Sequence, residues 1–138
     1  MKILGFNFNK VGAEKMEGGK GEIKINTSIN ISKIEKIKSP PIKTKEEIFG
    51  VSFEYSINYD PSFAKLTFAG SIIISVDSKL AKEVEKDWKD KKMPEDFKMG
   101  LFNVIFRKAN IKALQLEDEL GLPLHLPMPT LKREEGKK

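Results

Sequence analysis

Residues 48–76, IFGVSFEYSINYDPSFAKLTFAGSIIISV, constrain the fold more than any other stretch of the chain. From Phe49 to Tyr59 every odd position is large and apolar or aromatic: Phe49, Val51, Phe53, Tyr55, Ile57 and Tyr59. Between them stand Gly50, Ser52, Glu54, Ser56 and Asn58. Side chains on a strand alternate faces with period two, so this is a strand with one face to bury. Asp60-Pro61-Ser62 supplies turn chemistry, with proline presetting its own φ. A second strand then carries Ala64, Leu66, Phe68, Ile72, Ile74 and Val76 on even positions. Gly70 breaks that series and marks a bulge or a close backbone approach. The pair predicts a sheet buried on the side of Phe49 and Leu66, and such a sheet needs a cover.

The flanking segments read the same way. Leu4, Phe6 and Phe8 share a parity in a first strand over about 3–16. Glu17-Gly18-Gly19-Lys20-Gly21 reads as a hairpin turn. Ile23, Ile25, Thr27, Ile29 and Ile31 alternate through a second strand, and the pattern slips near Ser32-Lys33, where a bulge or the strand end is expected. Pro40 and Pro41 remove two ladder donors, so residues 38–46 are expected as an exposed crossover between two hairpins. At Asp77 the period changes to about 3.6. Leu80, Ala81, Val84 and Trp88 then form one face of a short helix, with Asp77 or Ser78 as its cap. Pro94, Glu95 and Asp96 open a long helix to about residue 120. Its expected stripe is Phe102, Phe106, Ala109, Ala113, Leu116 and Leu120, widened by Leu101, Val104, Ile105 and Ile111. Its roughly 39 Å and wide apolar arc exceed what one sheet contact hides. Leu101, Phe102, Ile105 and Ala109 are therefore expected at a contact between copies of the chain. Gly121 stops the helix. Leu122-Pro123-Leu124-His125-Leu126-Pro127-Met128-Pro129 is expected to be extended and stiff.

The 138 residues fit one domain, taken as residues 1–131, with 132–138 as a charged, frayed tail. The absence of cysteine removes disulfides, thiolate catalysis and the common zinc sites, and fits a cytoplasmic protein. No apolar run approaches the roughly 18–20 residues of a membrane span, and the first ten residues do not read as a signal peptide. Net charge is +5, but only Arg107 and Arg133 are arginine, which weighs against phosphate or base readout. No catalytic set, cofactor motif or metal site can be assembled. His125, the sole histidine, has no acidic neighbour in sequence and reads as structural. The carboxylates Glu83, Glu85, Asp87 and Asp90 alternate with lysines and read as a solvated helix face. Trp88 is the one tryptophan and precedes a charged loop. It caps the core or lines a groove with Met93 and Phe97; aromatics anchor extended peptides and Met suits adaptable surfaces.

The order of elements resembles the SecB-type export chaperones, and within them archaeal SecB-like proteins. The likeness is strongest over 48–131. FEYSINYDPSFAKLTFAGSIIIS is similar to that family's second hairpin, and GLPLHLPMPTL to its apolar, proline-containing segment after the main helix. The resemblance implies an α+β fold with a four-stranded antiparallel sheet, two hairpins with a crossover, and a short and a long helix packed on one face. It also implies ATP-independent holding of unfolded polypeptide by a dimer or a dimer of dimers, in protein export or in guarding an antitoxin. The groove expected for clients is bounded by Trp88, Met93 and Phe97 on one side and by Leu122, Leu124, Leu126 and Met128 on the other. The alternative is a nucleic-acid-associated domain using Lys24, Lys33 and Lys65 on one sheet face. The scarcity of arginine and the balancing acids disfavour it.

Overall fold

The structure, a computed structural model, describes residues 1–17, 21–38 and 45–131. The expected turn at 17–21 and crossover at 38–46 fall largely outside these residues, and the charged tail at 132–138 wholly so. Four strands, β1 (Lys2–Lys15), β2 (Lys24–Lys36), β3 (Glu47–Asp60) and β4 (Ala64–Val76), precede α1 (Ser78–Trp88) and α2 (Glu95–Glu119). The class is the expected α+β, with an antiparallel sheet covered on one face by two helices.

The order of strands is β1-β4-β3-β2. This corrects the expected opening hairpin. β1 and β2 are not partners but opposite edges, and β2 pairs directly with β3. The crossing connection is therefore the one after β1, and the arrangement is a Greek key, three hairpin-ordered strands with the fourth returning beside them. Alternation reports which face a strand buries, not which neighbour it takes. The two strands richest in apolar side chains hold the centre, and the more polar β1 and β2 hold the edges.

The buried parity is the expected one. Phe49, Val51, Phe53, Tyr55, Ile57, Leu66, Phe68, Ile72 and Ile74 are all buried, while Glu54 and Lys65 are exposed and Ser52 and Ser56 half-buried. The slip near Ser32 is a register shift between Ile31 and Lys33. Gly70 is a close approach. A Cβ there would lie 2.2 Å from the Asn7 carbonyl oxygen and 2.9 Å from the Phe53 ring. Phe53 and Phe8 are its partners in register on either side, and their rings stand 6.3 Å apart. The missing side chain is what lets them approach.

Asp77 caps α1, its side chain accepting from the Leu80 amide at 2.7 Å. α2 departs from the expected stripe. Its buried residues are Phe97, Leu101, Ile105, Ala109, Ala113 and Glu117, a strict i, i+4 row. Phe102, Phe106, Leu116 and Leu120 lie beside it, half-exposed. On a helix of about 3.6 residues per turn, each four-residue step advances roughly 40°. The row thus winds round the helix instead of staying over the sheet, and Glu117 comes to face the chain that follows the helix.

Candidate functional site

A cleft of about 530 Å³ lies between the edge strand β2 and the loop joining the helices. Its floor is four consecutive residues of β2, Ile29, Asn30, Ile31 and Ser32. Consecutive residues point to both faces of a sheet, so the cleft follows the strand's edge. β2 pairs only with β3 among the described residues, so its outer edge borders this cleft. The opposite wall is Trp88, Met93 and Phe102, with Lys91 and Lys98 at the rim. Trp88 also borders a second hollow of about 310 Å³ with Ile34, Phe49 and Val84, so the indole divides a longer groove along β2.

The wall is fixed by how α1 ends. The Lys92 amide donates to the Asp87 carbonyl at 3.0 Å and the Lys91 amide to the Trp88 carbonyl at 2.9 Å. These are the two bonds of a Schellman termination, whose turning residue adopts a left-handed conformation and is usually glycine. Here it is Lys91, at φ +59°. Its ammonium stands 4.7 Å from the Trp88 ring centroid, and that of Lys98 stands 5.5 Å from the Phe102 ring. Both contacts are within cation–π range.

At the other end of α2 the same termination uses Gly121, at φ +65°, with the Leu122 amide donating to the Glu117 carbonyl at 2.8 Å. The chain then folds back on the helix. Glu117 Oε1 accepts from the His125 backbone amide at 3.1 Å and lies 2.9 Å from the ring Nδ1; Oε2 stands 2.7 Å from the same nitrogen. The two side chains are 0% and 2% exposed. His125 Nε2 lies 2.9 Å from Asn110 Oδ1, which also accepts from the Tyr55 hydroxyl at 2.8 Å. The Tyr59 hydroxyl donates to the Pro123 carbonyl. Burial first, and the Glu117 charge second, push the Tyr55 phenol up to about 12, and the same causes raise Tyr59. This is a buried polar clamp holding the tail to the helix and sheet.

The expected groove is thus only partly assembled. Trp88 and Met93 meet in the cleft, but Phe97 is 2% exposed and belongs to the core. Ile29, Ile31 and Phe102 take the place expected for Phe97 and the tail. The cleft lining contains none of Leu122, Leu124, Leu126 and Met128. Leu122 is buried, and the other three are exposed at the far end of α2. The expected contact between copies also needs correction. Leu101, Ile105 and Ala109 are fully buried in the chain's own core, and Phe102 faces the cleft. Apolar side chains that do face outward are Met99 and Ile111 on α2, and Ile3, Leu4 and Val11 on the free edge strand β1.

Glu117 is the residue that sequence reasoning missed. It sits where the i, i+4 row of α2 continues, a signal masked by reading the stripe one position off. Lys24, Lys33 and Lys65 share the helix-free face by register, but Lys33 pairs with Glu35 at 3.0 Å and Glu54 lies on the same face. Among the described residues no group of three His, Cys, Asp or Glu could hold a metal, and no helix is long and apolar enough to cross a membrane.

No protein-family model matches the sequence, and no curated protein matches it. The fold does have a solved counterpart. The SecB-like chaperone of Mycobacterium tuberculosis, in complex with a ChAD peptide from the HigA1 antitoxin, superposes with a TM-score of 0.52. Sequence identity is 12%, over 96% of this chain and 91% of that one. At that identity the likeness is one of fold.

Proposed function

We propose that this chain is a SecB-like holdase that binds extended, non-native polypeptide without chemistry or cofactor. The observation that carries the reading is the cleft itself: four consecutive residues of an edge strand, paired on one side with β3, across from Trp88, Met93 and Phe102. An added peptide strand takes its affinity from main-chain hydrogen bonds to such an edge and its preference from side-chain pockets beside it. The fold counterpart's peptide complex supports the same reading. The clients are exported precursors or an antitoxin, and the setting is the cytoplasm. The working unit is a homo-oligomer. Its contact between copies uses the β1 edge with Ile3, Leu4 and Val11, since an exposed apolar edge strand is a template for pairing.

The test is a titration of a reduced, unfolded protein and of a generic oligonucleotide, each read by Trp88 fluorescence at low and high salt. Polypeptide binding that survives salt and is lost in a Met93→Ala, Phe102→Ala double variant, which keeps the Trp88 reporter, supports the holdase. Oligonucleotide binding that falls steeply with salt, with no polypeptide binding, would replace this reading with the nucleic-acid one.

A further inference from the structure

The cleft along β2 is apolar on its walls but carries charge of one sign only. Lys91 and Lys98 line it, and no carboxylate does. Among the described residues neither lysine has an ion-pair partner; the recorded contact of each is an aromatic ring. The neighbouring hollow behind Trp88 differs. There Lys36 is already held by Glu47 at 3.0 Å and by Glu85 at 3.8 Å.

Local backbone preferences account for neither lysine. Lys91 takes the left-handed position of the α1 termination, where glycine fits without strain. Lys98 lies in the first turn of α2, where the helix end is already positive and a carboxylate is the favoured neighbour. Glu95 and Asp96 already meet the positive end of α2, and what remains in the cleft lining is two ammonium groups on one side of a strand edge. The rings beneath hold both ammonium groups in place before any ligand arrives, and such preorganisation lowers the ordering cost of binding.

From this charge complementarity, and resting on the peptide-cleft reading above, we infer that the cleft selects acidic clients: extended segments in which Asp or Glu shares one parity with apolar residues. On an added strand successive side chains face opposite ways. One parity of the added strand faces the helix side, where its apolar residues meet Trp88, Met93 and Phe102 and its carboxylates reach Lys91 and Lys98, whose ammonium groups lie over the same wall.

Three short tryptophan-free peptides with identical apolar residues, and Glu, Gln or Lys flanking them at positions of the same parity, test this by Trp88 fluorescence. Two exposed ion pairs make the Glu peptide about threefold to tenfold tighter than the Gln peptide at low salt. The Lys peptide is weakest, and the order collapses at high salt. In a Lys91→Gln, Lys98→Gln variant the Glu peptide loses its advantage while the Gln peptide still binds. Equal binding of Glu and Gln peptides at low salt, or an advantage that persists in the variant, overturns the acidic preference and leaves the cleft standing. Binding of none of the three overturns the cleft as well.

Discussion

His125→Ala is the sharpest single test of the buried clamp. The substitution removes the ring that lies within 2.9 Å of both Glu117 and Asn110. It leaves Glu117, at 0% exposure, with the backbone amide of residue 125 as its remaining neighbour from the tail. Removing one member of a buried pair costs about 3–5 kcal/mol, because the other charge stays desolvated. That is a large share of the roughly 5–15 kcal/mol that a domain has in total. In urea, with m of about 1–3 kcal/mol/M, the midpoint should fall by about 1–5 M. A Glu117→Leu, His125→Leu double variant should recover most of this loss, since apolar replacement of both partners is often neutral or better. Asn110 would keep its bond from Tyr55 and is half-buried, so water can reach it. A loss below about 1 kcal/mol for His125→Ala is what an exposed pair gives, and it would refute the clamp. Simple addition of the two single-variant losses would show that the residues do not act as a pair.

Other outcomes follow from the same geometry. Burial and the Glu117 charge raise both phenols, so the stability they contribute is complete below pH about 10 and is lost as pH rises toward the folded value. Tyr55 and Tyr59 are the only tyrosines, so ultraviolet titration should show little tyrosinate in the native protein at pH 11, against half-ionisation near 10 in guanidinium; equal curves would count against burial. Gly70→Ala should cost about 1–3 kcal/mol or more by calorimetry, because the added Cβ meets the Asn7 backbone. Gly12→Ala, whose nearest contact is Thr67 Oγ1 at 3.3 Å, should cost less. Lys91→Gly should stabilise the fold by about 1 kcal/mol by relieving the left-handed residue, yet weaken binding of the acidic peptide. Leu4→Lys with Val11→Lys should lower the sedimenting mass at micromolar concentration without moving the Trp88 titration.

The centre of the sheet was legible because β3 and β4 state their buried parity residue by residue, whereas β1 shifts register twice and leaves the expected inward Leu4 exposed. The β2 bulge and the Asp77 cap were legible for the same local reason. Strand order was not, since β1 and β2 carry the same kind of alternation and nothing in it tells an edge next to β4 from an edge next to β3. The buried stripe of α2 was legible at Ala109 and Ala113 but misplaced at its two ends. Phe102 and Phe106 are as apolar as Leu101 and Ile105, and only the winding i, i+4 row ending in Glu117 separates them. At the site, Trp88 and Met93 could be picked out by composition beside a charged loop. Ile29 and Ile31 could not be joined to them, because they lie on a strand nearly sixty residues earlier that turns out to be a free edge.

The two free edges of the sheet are not equivalent, and that difference assigns their roles. β1 exposes Ile3, Leu4 and Val11 along its length, and none of the walled hollows beside Trp88 includes these residues. An exposed apolar strand without such a wall suits a long, self-complementary partner, which a second copy of the same strand provides. β2 is instead walled by the end of α1 and the start of α2, with an indole, a thioether and a phenyl ring facing its backbone. On the proposed reading the lysines at its rim would repel basic segments and draw acidic ones, so this edge would discriminate by charge as well as by apolar content. Pairing of copies through β1 would leave that cleft open in every subunit, whereas pairing through β2 would fill it. A holdase built on this fold therefore has to keep its two edges chemically distinct, and the polar backbone of β2 beneath Trp88 against the apolar rim of β1 is how this sequence does so.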